Sequence, residues 1–323
     1  MCALALLISP ATAHAQSDTK MARVSYLSDV PASLHAPGTA RAQLLSEFRE
    51  GLREAGYIEK QNLTIEYRFA EGVDRLPDLA ARLVAQKVDV IVAAGTASLK
   101  AARGVTTTLP IVTLDLQIDP VADGFAATLA RPGGNVTGLF LDQPEFAGKW
   151  LELLKDSIPN MSRAAVVWDA TTPRHQLRAV ETAAKTLGVT LQALSVRKPD
   201  DFGQVFLAAS NGRAQAVVVL SSPMVASHGA PIANLAVGKR LPTISAFSQL
   251  AKDGGLMAYG PSLTDLYRRL GALAGRVLSG ARPGDLPIER PSRFELTINL
   301  KTAKALGMML PRPLLLRADQ IIE

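Results

Sequence analysis

The residues best suited to hold a small polar molecule stand just after apolar runs of the chain. Gly95-Thr96-Ala97-Ser98 follows Val88–Ala94 and opens a helical stretch. Free N–H groups, the positive end of the helix dipole and the Thr96 hydroxyl make this a seat for a carboxylate or other anion. The competing reading is a plain cap that touches only its own helix. Ser221-Ser222-Pro223 follows Ala216–Leu220 and offers the same two readings. Asp115 and Asp119 come next after Ile111–Leu116, where a carboxylate could pair with a ligand amine. Asp119 precedes Pro120 and is equally suited to cap the next helix. Asp115 interrupts an apolar run and should not be buried without a partner. Ser28 and Asp29, after Val24–Leu27, and Asp169, after Ala164–Trp168, complete the polar set.

Aromatic residues are only 5% of the chain, so those at run ends stand out. Trp168, Phe247 and Tyr259 could stack on a flat or apolar ligand, with core packing as the alternative. Trp150 lies on a helical face with Phe146, Leu153 and Leu154 and reads as packing. His35 and His175 follow corresponding runs and could meet across a cleft, but two histidines are a poor basis for a metal site, and none is expected. Hydrolase, zinc-protease, phosphate-loop and dinucleotide-binding signatures are all missing. No cofactor and no catalysis are therefore expected.

These candidates must be positioned by alternating strands and helices. Leu44, Leu45, Phe48, Leu52 and Ala55 share one helical face, ended by Gly56. Leu76, Leu79, Leu83 and Val84 form a second stripe with Pro77 in its first turn, and Leu177, Val180, Ala184 and Leu187 a third, ended by Gly188. Leu63–Phe69 and Phe294–Leu300 alternate strictly, as half-exposed strands do. Such a pattern predicts parallel sheets flanked by helices. The order also occurs twice. Arg23–Leu27 is echoed by Arg163–Val167, Val88–Val92 by Gln215–Val219, and Leu109–Val112 by Leu241–Ile244. The doubling predicts two similar α/β lobes rather than one long sheet, with chain crossings near Arg131–Leu141, Gly254–Pro261 and Pro283–Pro291. The expected division is 22–140 plus about 260–285 for the N-terminal lobe, and 141–255 plus about 291–323 for the C-terminal lobe.

Met1–Ala15 has an apolar run, Pro10 and the triplet Ala13-His14-Ala15, as in a cleaved secretory signal peptide without its basic start. A periplasmic location follows as an expectation, with a true start codon upstream. The only cysteine, Cys2, falls inside that leader, so disulfides and cysteine chemistry are not expected in the mature chain. Net charge is +6, but Lys and Arg are scattered, and pairs such as Arg268-Arg269 are their longest runs; no nucleic-acid partner is expected.

From Arg23 onward the chain resembles the ABC transporter substrate-binding family that includes tryptophan- and tyrosine-uptake proteins. The resemblance rests on Gly51–Tyr57, Asp119-Pro120-Val121 with Leu129–Gly138, Gly255–Pro261 and Phe294–Gly307. It implies the type I periplasmic-binding-protein fold, two Rossmann-like lobes joined by a hinge. It also implies capture of a small polar or zwitterionic solute, amino-acid-like or aromatic, by a monomer serving a membrane permease and ATPase. Two loops depart from the usual pattern, Ser28–Thr39 with its two prolines and Leu114–Ile118. Residues just after the strands would then form the site: Ser28, Asp29, Gly95, Thr96, Ala97, Asp115, Asp119, Asp169, Ser221, Ser222, Phe247 and Tyr259. A sensory module of the same fold and a cofactor-free enzyme are the alternatives.

Overall fold

In the computed structural model, which describes residues 21–115, 118–141 and 144–323, the apolar runs become the buried strands of two sheets. The leader read at residues 1–15, with Cys2, lies outside the described residues. The first sheet holds β1 (Ala22–Ser28), β2 (Leu63–Phe69), β3 (Val90–Ala94), β4 (Ile111–Asp115) and β5 (Val136–Phe140), all parallel. Their order is β2-β1-β3-β4-β5. Helices α1 (Ala40–Glu54), α2 (Leu76–Ala85) and α3 (Thr96–Val105) connect them. The α1 stripe Leu45, Phe48 and Leu52 is buried on one face of the sheet, and Leu76, Ala80 and Leu83 of α2 on the other. Each of these Leu and Phe side chains contributes about 1.5–3 kcal/mol by leaving water. Thr39 starts α1 by accepting the Ala42 N–H at 3.1 Å, and Gly56, at φ +89°, ends it.

The second sheet is built from α4 (Pro144–Ser157), β6 (Arg163–Asp169), α5 (His175–Thr186), β7 (Thr190–Val196), α6 (Asp201–Asn211) and β8 (Ala216–Val219). It continues through α7 (Pro223–Ser227), α8 (Gly229–Gly238), β9 (Thr243–Ser245), α9 (Ser248–Lys252) and β10 (Met257–Pro261). After α10 (Leu263–Leu278) come β11 (Phe294–Asn299), α11 (Leu300–Ala305), α12 (Arg312–Leu315) and β12 (Gln320–Ile322). The strand order is β12-β11-β10-β9-β8-β6-β7. From β7 to β10 it repeats the first sheet's order, and the repeat extends to single hydrogen bonds. Ile91 N–H donates to the Pro110 carbonyl at 2.9 Å, and Val217 N–H does the same to Pro242 at 2.9 Å. The second sheet is not wholly parallel, because β11 runs antiparallel to β10. Its chain enters this lobe from the hinge side, where β10 leaves it.

The helix α10 does not stay with the second sheet. It returns to the first lobe, and Leu266, Leu270, Leu273 and Ala274 join the core beneath β3, β4 and β5. Two glycines let it lie against α1 backbone to backbone. A Cβ on Gly271 would stand 2.0 Å from the Phe48 carbonyl oxygen, and one on Gly51 1.8 Å from that of Arg268. The Tyr26 and Tyr267 hydroxyls add a buried contact at 3.3 Å.

Three segments therefore pass between the lobes: the end of β5 into α4, the end of β10 into α10, and residues 286–293 into β11. They are tied together. Phe140 N–H donates to the Glu289 carbonyl at 3.0 Å, Glu289 N–H to Gly138 at 2.8 Å, and Ser262 N–H to Arg293 at 3.1 Å. Arg269 on α10 holds the third segment through Glu289 and the Arg290 carbonyl. Both β5 and β10 leave their sheets at the carboxyl end, so the carboxyl ends of both sheets are turned toward the crossings.

Candidate functional site

An open parallel sheet binds ligands outside its carboxyl ends, at the point where strand order reverses. In the first lobe that point lies between β1 and β3, and in the second between β6 and β8. The loops after these four strands define the cleft.

On the first-lobe side, Asp29, Gly95, Thr96 and Asp115 come together. Gly95, at φ +97°, ends β3, and a Cβ there would stand 3.5 Å from an Asp29 carboxylate oxygen. Burial pushes the Asp29 carboxyl above the ordinary value of 3.8, opposed by its own backbone N–H and by the Arg41 guanidinium. The Thr96 hydroxyl donates to Asp115 Oδ1 at 2.9 Å. Asp115 is only 2% exposed, so the partner that its position demanded is present. Its carbonyl also accepts the Leu141 N–H at 3.2 Å, joining the site to the first crossing. The residue at the cap of α3 is Gly95, which has no side chain, so no side chain caps the helix. The first-turn N–H groups of a helix lack intrahelical partners, so this end keeps its donors. Ala97 packs against the core beside α2, and Ser98 is buried. Ser28 is buried and accepts the Val30 N–H at 3.1 Å, which shapes the turn that carries Asp29.

The second-lobe side spends its polar atoms differently. Ser222 caps α7 by accepting the Val225 N–H at 3.1 Å, and Pro223 has no N–H to give. Ser221 is held by Gln176, whose amide donates to the Ser221 carbonyl at 2.9 Å and accepts its N–H at 3.0 Å. Asp169, 4% exposed, accepts the Thr171 N–H at 2.9 Å and hydroxyl at 2.6 Å. The aromatic surface is here. Trp168 is half-buried with the Arg174 guanidinium 5.3 Å from its ring centroid. Phe247 and Tyr259 are half-buried against the lobe's core. Tyr259 stacks on Phe294 at 6.2 Å, and its carbonyl accepts Trp150 Nε1 at 2.7 Å.

The other candidates lie apart. Asp119 is exposed and accepts the Val121 and Ala122 N–H groups at 2.8 and 3.2 Å, the capping geometry its sequence position also allowed. His35 stacks face to face on Phe69 at 4.2 Å, and burial lowers its pKa, with Arg41 acting in the same direction and the Pro31 carbonyl opposing. His175 is exposed at the start of α5. Among the described residues no group of three potential metal ligands occurs. Sequence reasoning missed Gln176, Arg174 and Phe69. Phe69 alone carried a signal, as the last residue of an alternating strand.

Comparisons with known proteins agree with this architecture. Residues 33–322 match the family described as ABC transporter substrate binding protein. A tyrosine-binding protein of Clostridioides difficile (strain R20291) is 26% identical over 268 residues, 81% of this chain and 75% of that protein. An ABC domain from Streptococcus pneumonia, solved in complex with L-Trp, superimposes with a TM-score of 0.83 at 24% identity, covering 93% of this chain and 99% of that one. A conserved domain protein from Vibrio cholerae gives a TM-score of 0.83 at 24% identity, over 94% and 100% of the two chains. At these identities the structural likeness speaks for the fold, the type I periplasmic-binding-protein fold. With nearly the whole of its length matched, the chain belongs to the ABC transporter substrate-binding protein family.

Proposed function

We propose that this protein is the exported solute receptor of an ABC uptake system and that it captures an aromatic or related amino acid between its lobes. The observation that carries the reading is the first-lobe cluster. It sets two carboxylates, Asp29 and Asp115, beside a helix start whose N–H donors are uncommitted. An α-amino acid is a zwitterion, and such a pair of opposite poles suits its ammonium and carboxylate together. The second lobe would supply Trp168 and the backbone around Ser221 and Ser222, with Phe247 and Tyr259 behind, for the side chain. A tyrosine-binding relative and a fold relative holding L-Trp support the aromatic class. Closure over the solute would present both lobes to a membrane permease and its ATPase, because a ligand that bridges two lobes favours the state in which both contact it.

The test is calorimetry on protein stripped of solute by unfolding and refolding. Saturable one-to-one binding of L-tyrosine, L-tryptophan or L-phenylalanine is expected, with tyramine and tryptamine binding far more weakly. Equal binding of the amines, or no saturable binding of any amino acid, contradicts the reading.

A further inference from the structure

The two sheets differ in charge at their amino ends, away from the cleft, and the repeat allows a comparison residue by residue. Strand pairing aligns Arg23 with Arg163, because Val24 lies beside Val90 and Ala164 beside Ala216. In the first lobe Asp89 accepts the Arg23 N–H at 2.8 Å, and Glu66 binds its guanidinium at 2.8 Å. The same register sets Gln215 in place of Asp89 and Gln192 in place of Glu66. Gln215 keeps the hydrogen bond, accepting the Arg163 N–H at 3.1 Å, without the charge. The shared Leu-Pro likewise sets Lys239 and Arg240 in place of Thr107 and Thr108. Carboxylates are lost and cations gained. Arg163, Arg213, Lys239 and Arg240 are all exposed, and none forms an ion pair among the described residues. The acids at this end are engaged or distant. Asp156 binds Arg317 at 3.1 Å, Asp253 is half-buried and accepts the Gln249 amide at 2.8 Å, and Glu323 follows β12, three strands from β9.

An apolar side chain is held out among these cations. Met309 is 96% exposed and borders a shallow groove together with Arg240, Ile158, Pro159 and Pro242. Water favours no such placement, whereas a bilayer surface suits both parts. Its headgroup layer takes an apolar side chain, and its phosphates attract the surrounding cations. We infer that this end of the second lobe rests on an anionic phospholipid bilayer, with Met309 in the headgroup layer and Arg163, Arg213, Lys239 and Arg240 at the phosphates. A soluble polyanion would match the cations but leave Met309 without a role. The contact lies at the opposite end of the sheet from the cleft and is independent of the solute bound there.

Sedimentation of the full chain with lipid vesicles tests this. Vesicles of phosphatidylglycerol and phosphatidylcholine should carry the protein down, vesicles of phosphatidylcholine alone should not, and high salt should release it. Each cation near an anionic bilayer is worth roughly fivefold in partitioning. Reversing two of them, in Arg213→Glu with Arg240→Glu, should therefore lower the partition coefficient about 25-fold or more. Gln215→Glu keeps the acceptor and restores the charge that the first lobe has beside its arginine, and should lower it roughly fivefold. Met309→Ser should lower it severalfold without any change in charge. Circular dichroism and amino-acid binding of all three variants should match the parent. Absence of sedimentation with anionic vesicles, equal sedimentation with neutral ones, or partitioning that the charge variants leave unchanged overturns the inference. Undiminished partitioning of Met309→Ser, the result expected of a site for a soluble polyanion, overturns it as well.

Discussion

The Thr96 hydroxyl donates to the buried Asp115 carboxylate at 2.9 Å, and this bond separates the two lobes chemically. Its counterpart in the second lobe, Ser222, turns back to cap its own helix. In the site proposed here, one lobe would supply a helix start and two carboxylates for a ligand's charged groups, and the other mainly rings and backbone.

Thr96→Val should expose the consequence. It removes a donor from a buried carboxylate, which costs about 1–3 kcal/mol. Thermal melts should show that loss, and calorimetry should show solute affinity reduced roughly tenfold or more on the same scale. Thr96→Ser should restore both. Unchanged solute affinity in Thr96→Val would remove this residue from the site.

Asp29 predicts a pH dependence. Burial raises its carboxyl pKa above 3.8 in the folded protein. A group so raised contributes stability below its unfolded pKa, and that contribution is lost as pH rises through the folded value. The solute-free protein is therefore expected to gain stability on mild acidification through this group. A ligand ammonium beside Asp29 favours the ionised form, so amino-acid affinity should fall over the same acid range. Asp29→Asn should flatten both dependences. A parent affinity that stays constant, or rises, as pH falls from 7 to 4 would contradict the assignment.

The chain has two tryptophans, Trp150 and Trp168, both in the second lobe. Trp150 is 1% exposed and bonded to the Tyr259 carbonyl, whereas Trp168 is half-buried under Arg174 at a β6 end that faces the cleft. Solute binding should change the emission of Trp168. In Trp150→Phe the change should persist, and in Trp168→Phe it should largely vanish. The reverse pattern would mean that the cleft surface lies elsewhere.

Gly271→Ala should destabilise the first lobe. The added methyl meets the Phe48 carbonyl oxygen at 2.0 Å, and overpacking of this kind costs typically about 1–3 kcal/mol. Denaturant melts measure it. A neutral result would mean that α1 and α10 can part without cost.

Much of this was legible in the residues. The runs at Val88–Ala94 and Ala216–Leu220 announced buried strands, and the echo of Leu109-Pro110 in Leu241-Pro242 located equivalent strands in two lobes. Asp115 was legible as a buried carboxylate in need of a partner because it broke an apolar run. What stayed hidden depends on contacts between distant segments. Thr96 and Ser222 look alike in sequence, yet one hydroxyl reaches a neighbouring strand and the other its own helix. Gln176 is an ordinary helix residue until folding brings it against Ser221. The antiparallel course of β11 follows from where the chain crosses the hinge, which local periodicity does not encode.

The most direct test of the central claim is a crystal structure of the protein with L-tyrosine or L-tryptophan bound. The account predicts the ammonium within about 3 Å of Asp29 or Asp115, the carboxylate at the start of α3, and the ring against Trp168 in the facing lobe. A ligand that touches only one lobe, or whose charged groups lie away from Thr96 and Asp115, would contradict it.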